Sequence, residues 1–337
     1  TGFLVYNERT YPELIALFKK LNIPTAPTDM SFSVSRGPHQ MEWSGSNLAG
    51  LFAQRRHLVS PRFWGMIVDI LRFNRQASAL AMGMRQDDSS SDLAFGDTLL
   101  DLPLDSFLER EHYGEAFALD YLLPMAAAIW SCPMKQMREF PLGTFVRFFH
   151  NHGLLQISQR PQWFTVEGGA RQYVMAMAKA LDDIRLHSPV WSVEQAANAA
   201  GQLRLRSRSG DEFFDAVVLA CHSDQSLRIL QKPRHEQAQL LQAIRYQENR
   251  AWLHGDTALM PRARKAWAAW NYLSKQIRDE ASRLDQTAVS VTYWLNQLQP
   301  LKLKRPIFVS LNPLQEPEPA SCFQVIDYAH PVFDLAA

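Results

Sequence analysis

The run Arg160-Pro161-Gln162-Trp163-Phe164-Thr165-Val166-Glu167-Gly168-Gly169-Ala170-Arg171-Gln172-Tyr173-Val174 decides how this chain folds. An extended stretch ends in a glycine pair, and an apolar helix starts at once. Glycines at a strand-to-helix junction let backbone approach a ligand closely, and the helix start aims free N–H groups at negative charge. A glycine pair alone reads first as a tight turn before a helix. Arg171 tips the balance, because a cation in the first turn opposes the helix dipole unless an anion lies near. Downstream, Ala216-Val217-Val218-Leu219-Ala220-Cys221-His222 has the composition of a buried strand.

Around this centre the periodicity predicts an α/β piece. It holds a helix at 169–181, strands at 184–186, 190–193, 203–206 and 213–220, and turns at Ala199-Ala200-Gly201 and Ser209-Gly210-Asp211. Upstream, an amphipathic helix at 11–21 carries Leu14, Leu17, Phe18 and Leu21 on one face, with Pro12 near its start. Segments 31–35 and 40–43 alternate and predict a hairpin around Arg36-Gly37-Pro38. From 47 to 81 the pattern is helical, broken where Ser60 caps a new helix opening at Pro61. A polar loop at 87–92 follows, then helices from Thr98 or Pro103 to 111, at 114–130 with an interruption at Pro124, and at 141–150. After 222 the chain returns to helix through 241. Strands of a second sheet are predicted at 250–256, 266–272, 289–295 and 307–311, then an extended Pro/Glu segment at 313–319. The expected fold class is α/β plus α+β. Residues 1–21, 155–228 and 321–337 form one unit; residues 22–154 and 229–320 form a helix-rich unit with its own mixed or antiparallel sheet. A chain that leaves a domain and re-enters it builds a cap, and ligand sites favour such junctions.

Composition narrows the function. The 337 residues are 47% hydrophobic and 20% charged with a formal net charge of +1. Disorder is excluded, and no global field draws nucleic acid. Cys132, Cys221 and Cys322 lie too far apart for a metal motif or a disulfide framework, which fits a reducing, cytoplasmic setting. The longest apolar run, 121–130, is too short to span a membrane. No signal peptide opens the chain, and both ends read as cut. Cys221 and His222 are adjacent on an expected strand and so point to opposite faces, which excludes a Cys–His nucleophile. His150 and His152 lack a third metal ligand; a helix C-terminus ending at Gly153 explains them, and no metal is expected. His254 and Asp256 read equally as a proton relay and as a satisfied pair in a turn. Trp252, Trp267, Trp270, Tyr272, Tyr293 and Trp294 supply core, and also the walls an apolar cavity needs.

Several blocks together resemble the bacterial NAD/FAD-binding, flavin-containing amine oxidase-like proteins of the amine oxidase and phytoene desaturase superfamily. They are TGFLVYNERTYP (1–12), MSFSV (30–34), YLLPMAAAIWS (121–131), NHGLL (151–155), 160–174, LHGDTALMPRARKAWAAWN (253–271), TYWLNQLQ (292–299) and FVSLNP (308–313). The family pattern carries Arg where Phe164 stands and Ser where Ala170 stands. It also opens on a strand with Gly-x-Gly-x-x-Gly, and the fifteen glycines here contain no such triplet.

The resemblance implies an FAD-dependent oxidoreductase acting by hydride transfer on a small-molecule or acyl, lipid-like substrate. Its fold would be a partial FAD-binding domain with an interleaved substrate domain. It implies FAD contacts at Gly168, Gly169, Arg171, Trp163, Ala220 and Val190, the last holding adenine through its backbone N–H and C=O. His254, Tyr293 and Asn296 are the candidate catalytic residues, on strands expected to line the cavity. The 337 residues alone are expected to be inactive and to hold FAD weakly. No nucleic-acid partner is expected, and peripheral contact with a membrane stays open. Two alternatives are a flavin-dependent isomerase of the carotenoid type and a non-catalytic apolar-ligand or partner-binding module.

Overall fold

A computed structural model describes residues 4–37, 41–87, 97–130, 134–156, 160–196, 201–278 and 285–332. The expected loop after Asp87, the hairpin tip at Pro38, Cys132 and the turn residues Ala199 and Ala200 lie outside them. The chain divides into two compact units, Thr1–Ala176 with Glu248–Tyr328 and Met177–Gln247 with Ala329–Ala337. The boundary thus falls inside the expected 155–228 segment, and the glycine pair folds with the larger unit.

In the larger unit the chain begins with β1 (Tyr6–Asn7), α1 (Pro12–Lys20), β2 (Thr25–Thr28), β3 (Phe32–Arg36) and β4 (Met41–Ser44). Helices follow: α2 (Leu48–Leu51), α3 (Pro61–Asp87), α4 (Asp97–Leu100), α5 (Leu104–Arg110), α6 (Glu115–Phe117), α7 (Leu123–Trp130), α8 (Met134–Arg138) and α9 (Leu142–Asn151). Capping sets their starts. Asn47 Oδ1 accepts from Gly50 N at 2.8 Å, and Ser60 Oγ accepts from Phe63 N at 3.3 Å just before Pro61. Between α6 and α7 the helix loosens into a π turn, Ala118–Leu122. Next come β5 (Trp163–Val166) and α10 (Arg171–Ala178).

The smaller unit holds a meander of β6 (Val190–Gln195), β7 (Leu203–Ser207) and β8 (Gly210–Phe214), followed by α11 (Ser223–Ile229) and α12 (His235–Ala243). The remaining elements are β9 (Arg245–His254), β10 (Trp270–Arg278), β11 (Asp285–Trp294), α13 (Leu295–Leu298), β12 (Phe308–Leu311) and β13 (Cys322–Val332).

Two sheets shape the larger unit. One has the order β1-β5-β2, and α1 packs on it through Phe18 against Tyr6 and Val166. The other has seven strands, β13-β9-β12-β11-β10-β3-β4. It is mixed, as expected: β3 and β10 run parallel, Phe32 opposite Trp270, while the other recorded pairs are antiparallel. Helices α3, α6 and α9 bury Phe73, Phe117, Phe145 and Phe149 in one core with Val34 and Tyr272 of the sheet.

A buried amide fixes the parallel joint. Asn271 is fully buried; its Oδ1 accepts from Ser33 Oγ (2.8 Å) and Ala268 N (3.0 Å), and its Nδ2 donates to the carbonyls of Ala268 (2.7 Å) and Thr292 (3.0 Å). Every capacity of the side chain is used across three strands and a loop.

Two expectations fail. Residues 184–186 form no strand. The expected strand 213–220 ends at Phe214, and Ala216–Ala220 runs on extended, with no strand pairing to it among the described residues. Val218 is 90% exposed, so the apolar run that looked buried lies open. Composition reports which residues suit burial, but only a neighbouring strand supplies it. β13, partly exposed along its length, was not anticipated.

Asn271→Leu keeps the branched shape but orphans at least two buried backbone groups. It is expected to cost about 3 kcal/mol in urea unfolding with an unchanged m-value. A loss below about 0.5 kcal/mol would mean the joint holds without its clamp.

Candidate active site: an aromatic cavity

Within the larger unit lies a cavity of about 350 Å³. Phe32 of β3, Trp43 of β4, Trp270 of β10 and Trp163 of β5 line it, with Met125 and Ile129 of α7 and Tyr121 of the π turn. Its polar lining comes from Asp29, Ser31, Ser46, His152, Arg160 and Gln162.

The π turn explains how two unlike residues sit side by side. Widening one helical turn lets Asp120 face inward, 1% exposed, where it accepts from Arg36 (2.7 Å) and Arg62 (2.8 Å). Trp43 Nε1 donates to the Asp120 carbonyl at 3.1 Å. Tyr121, the next residue, stacks on the Trp43 ring with centroids 5.9 Å apart. Burial pushes the Tyr121 phenol up to about 12, with the Arg160 charge pulling the other way. At neutral pH it is therefore a protonated hydroxyl.

His152 ends α9. Its ring stacks on Phe148 (4.0 Å) and lies parallel to Trp163 (6.1 Å). Nδ1 sits 2.9 Å from the Phe148 carbonyl, which fixes the proton there and leaves the Nε2 lone pair as an acceptor. Burial holds the imidazole below the usual histidine range, outweighing that bond. The cavity thus contains a neutral imidazole. Gly153 follows at φ +69°, and a Cβ there would collide with the Pro161 ring, so this glycine keeps the Arg160–Trp163 wall in place.

Asp29 is committed: Oδ1 accepts from Ser31 N (2.8 Å), and Oδ2 from Ser31 Oγ (2.5 Å) and Gln297 Nε2 (3.2 Å). Among the described residues Arg160 spends only Nε, on the Gln156 carbonyl at 2.7 Å, and its exposed guanidinium is the cation among the described lining residues. The buried Trp270 indole N–H has no partner among the described residues.

The residues singled out from sequence scatter. Trp163 lines the cavity. Tyr293 stands behind the wall, its ring edge-on to Trp270 at 4.9 Å. His254 is fully buried away from the lining; Nδ1 accepts from Asp256 N (3.1 Å) and Nε2 bonds Ser310 Oγ (2.8 Å). Of its two readings, the satisfied pair is the one seen. Asn296 ties a loop, accepting from Ile307 N (2.7 Å) and donating to the Arg305 carbonyl (3.1 Å). Gly168 and Gly169 adopt φ +76° and +80°; Gly168 is exposed and open space faces Gly169. Arg171 is exposed at the first turn of α10. In the smaller unit Val190 and Ala220 come together in an apolar groove of about 560 Å³, beside the unpaired extended segment. Sequence reasoning missed Tyr121, Arg160 and His152. The signal for His152 was present in the His-x-His-Gly pattern, and the helix-end explanation absorbed it.

Residues 1–253 match the family of flavin containing amine oxidoreductases. The chain belongs to that family. Its cofactor is FAD. No curated protein matches. Among solved structures, putrescine oxidase bound to putrescine superposes with a TM-score of 0.58 at 14% identity, over 93% of this chain and 64% of that protein. Cyclohexylamine oxidase from Brevibacterium oxydans IH-35A gives 0.61 at 13%, over 99% of this chain and 77% of its own. A CLA-producing fatty acid isomerase from P. acnes gives 0.56 at 11%, over 96% and 67%. Such likeness shows the fold. The chain spans 64% of the length of putrescine oxidase.

The residues present fit a flavin. In the larger unit the indole N–H of Trp270, without a partner among the described residues, suits a ring system rich in acceptors; in the smaller unit, taken by itself, Ala216–Ala220, to which no described strand pairs, offers backbone to a nucleotide edge.

His57, His152 and His254 are all held below the ordinary histidine value by burial. The unfolded chain then binds more protons than the native one at mildly acid pH. Stability is expected to be full above about pH 6.5 and to fall by about 1–2 kcal/mol as the pH drops to about 5. Urea midpoints across that window check this. The carboxylates with depressed values, Asp183, Glu194 and Asp327, act only at lower pH. A flat profile would show that these imidazoles are hydrated.

Proposed function

We propose that the protein carrying this chain is an FAD-dependent oxidoreductase that acts on an acyl-type substrate held in the aromatic cavity. One observation carries the substrate class. The Asp29 carboxylate is consumed by the fold, whereas the Arg160 guanidinium remains available beside apolar walls. That pairing suits an anionic head on an apolar tail better than an ammonium ion.

The bound flavin supplies the acceptor for a hydride leaving carbon. The chain supplies the rest. In the larger unit Gly168, Gly169 and Arg171 would meet the cofactor by close backbone approach and charge; in the smaller unit, taken by itself, Val190 and Ala220 of the apolar groove would do so. Arg160 pairs with the substrate carboxylate, and Phe32, Trp43, Tyr121 and Trp270 exclude water. His152 Nε2 takes a proton from the carbon adjacent to the one losing hydride, and that C–H electron pair becomes the new double bond. An isomerase reading uses the same groups with no net redox change; it is favoured by the fold shared with the fatty acid isomerase.

The test is anaerobic mixing of the full-length, flavin-loaded protein with long-chain fatty acids or primary alkyl amines, following the visible flavin band. Fatty acids are expected to bleach the band or to emerge isomerised. His152→Asn is expected to slow that step by about 10²–10³-fold. Arg160→Ala is expected to raise KM about tenfold with kcat largely kept. Bleaching by amines alone would sink the substrate class, and a colourless full-length protein would favour the non-catalytic binding module. Residues 1–337 alone are expected to take up FAD weakly in a fluorescence titration, since they contain no Gly-x-Gly-x-x-Gly loop.

A further inference from the structure

Helix α3 is amphipathic on its inner side and apolar again on its outer side. Phe63, Met66, Phe73, Ala77 and Ala81 enter the core. Trp64, Val68, Leu71 and Met82 recur at helical spacing on the other face and are 46%, 61%, 52% and 55% exposed. The 3-10 turn Arg55–Val59 extends the stripe with Leu58 and Val59, 53% and 83% exposed. Trp64 Nε1 donates to the Leu58 carbonyl at 3.0 Å, so the exposed indole needs nothing from water. From Trp64 to Met82 the stripe runs about 27 Å at the helical rise.

Charge selects the occupant. Residues 48–84 contain five arginines and a single carboxylate, Asp69, in a chain whose net charge is +1. Asp69 is paired with Arg72 at 3.0 Å. Arg55 is exposed close in sequence to Leu58 and Val59, and Arg75 is exposed on the stripe's own face between Leu71 and Met82, whereas Arg62 lies on the other side of the helix and is spent on Asp120 and Glu115. Planar guanidinium groups flanking exposed Trp, Leu and Met match a layer of phosphate groups over acyl chains. No described helix is long and apolar enough to cross a membrane. A second copy seated here about a two-fold axis would bring arginines against arginines.

We propose that the outer face of α3 docks on an anionic lipid surface, lying in the interface with Trp64, Val68, Leu71 and Met82 among the acyl chains. This goes beyond the cavity reading and does not depend on flavin or turnover.

The experiment is co-flotation of the chain with vesicles of phosphatidylcholine and phosphatidylglycerol in equal parts, against phosphatidylcholine alone. Binding is expected to the anionic vesicles, weakening as salt rises. Val68→Glu/Leu71→Glu is expected to lower the affinity at least about tenfold. Arg55→Gln/Arg75→Gln should weaken binding and flatten its salt dependence. Far-ultraviolet circular dichroism and thermal unfolding of each variant should match the parent, because these side chains leave the core untouched. Three results overturn the proposal: no binding to either vesicle, equal binding to both with no salt effect, or a dimer by light scattering that the Val68/Leu71 pair dissolves.

Discussion

The cavity exists because a parallel strand joint is held shut by one buried amide and one serine. Antiparallel neighbours can be joined by a short turn, but parallel strands come from distant parts of a chain and need another anchor. Here Ser31 receives the Ala269 N–H on its Oγ at 3.0 Å and the Trp270 N–H on its carbonyl at 3.0 Å. Asp29 holds Ser31 in turn, and Asn271 closes the joint from the far side. Phe32 and Trp270, paired in register, then emerge side by side in the cavity lining. A polar network buried this deeply specifies one register, because a slip by one residue would orphan every member.

The same economy ties the helical half to the sheet. Asp120 holds Arg36 at the end of β3 and Arg62 at the start of α3, and its carbonyl holds the Trp43 indole. The neighbouring Tyr121 is thereby carried to the cavity. A regular α-turn would rotate these two positions differently about the helix axis, so the π turn is part of the site's construction. The buried carboxylate is a positioning group: it touches two arginines and does not line the aromatic cavity.

Local structure was legible in the sequence wherever its cause is local. Pro12, Ser60 and the Arg36-Gly37 turn mark element ends with residues whose backbone preferences act within a few positions, and those elements stand where expected. The glycine pair ends β5 and precedes α10 for the same reason. The parallel pairing of β3 with β10 was not legible, since nothing in Phe32–Arg36 names Trp270 as a neighbour. The open segment Ala216–Ala220 misled because apolar composition is a statement about preference, and burial requires a partner. His254 and Asn296 were attractive as polar residues among aromatics, yet each is spent on hydrogen bonds that hold strands and loops. His152 failed in the opposite direction. The helix-end account of it is correct for Nδ1, which bonds the Phe148 carbonyl, and says nothing of Nε2.

Burial acts on the cavity's two titratable rings in opposite senses and reaches one outcome. It lowers the imidazole of His152 and raises the phenol of Tyr121, because in each case the charged form is the one that loses water. Both groups are therefore neutral at pH 7, one offering a lone pair and the other a hydroxyl. With Asp29 turned to the backbone and side chains of the fold, the charge left for a ligand is that of Arg160. An apolar chamber with a cation among its lining residues and a neutral base against its aromatic wall separates two tasks. In the proposed reaction, attraction of a head group falls to Arg160, and proton transfer to an imidazole with no charged partner among the described residues. Adding an ionised group against the aromatic wall at His152 would cost desolvation and would shift the base, so the aromatic walls and the proposed chemistry require one another.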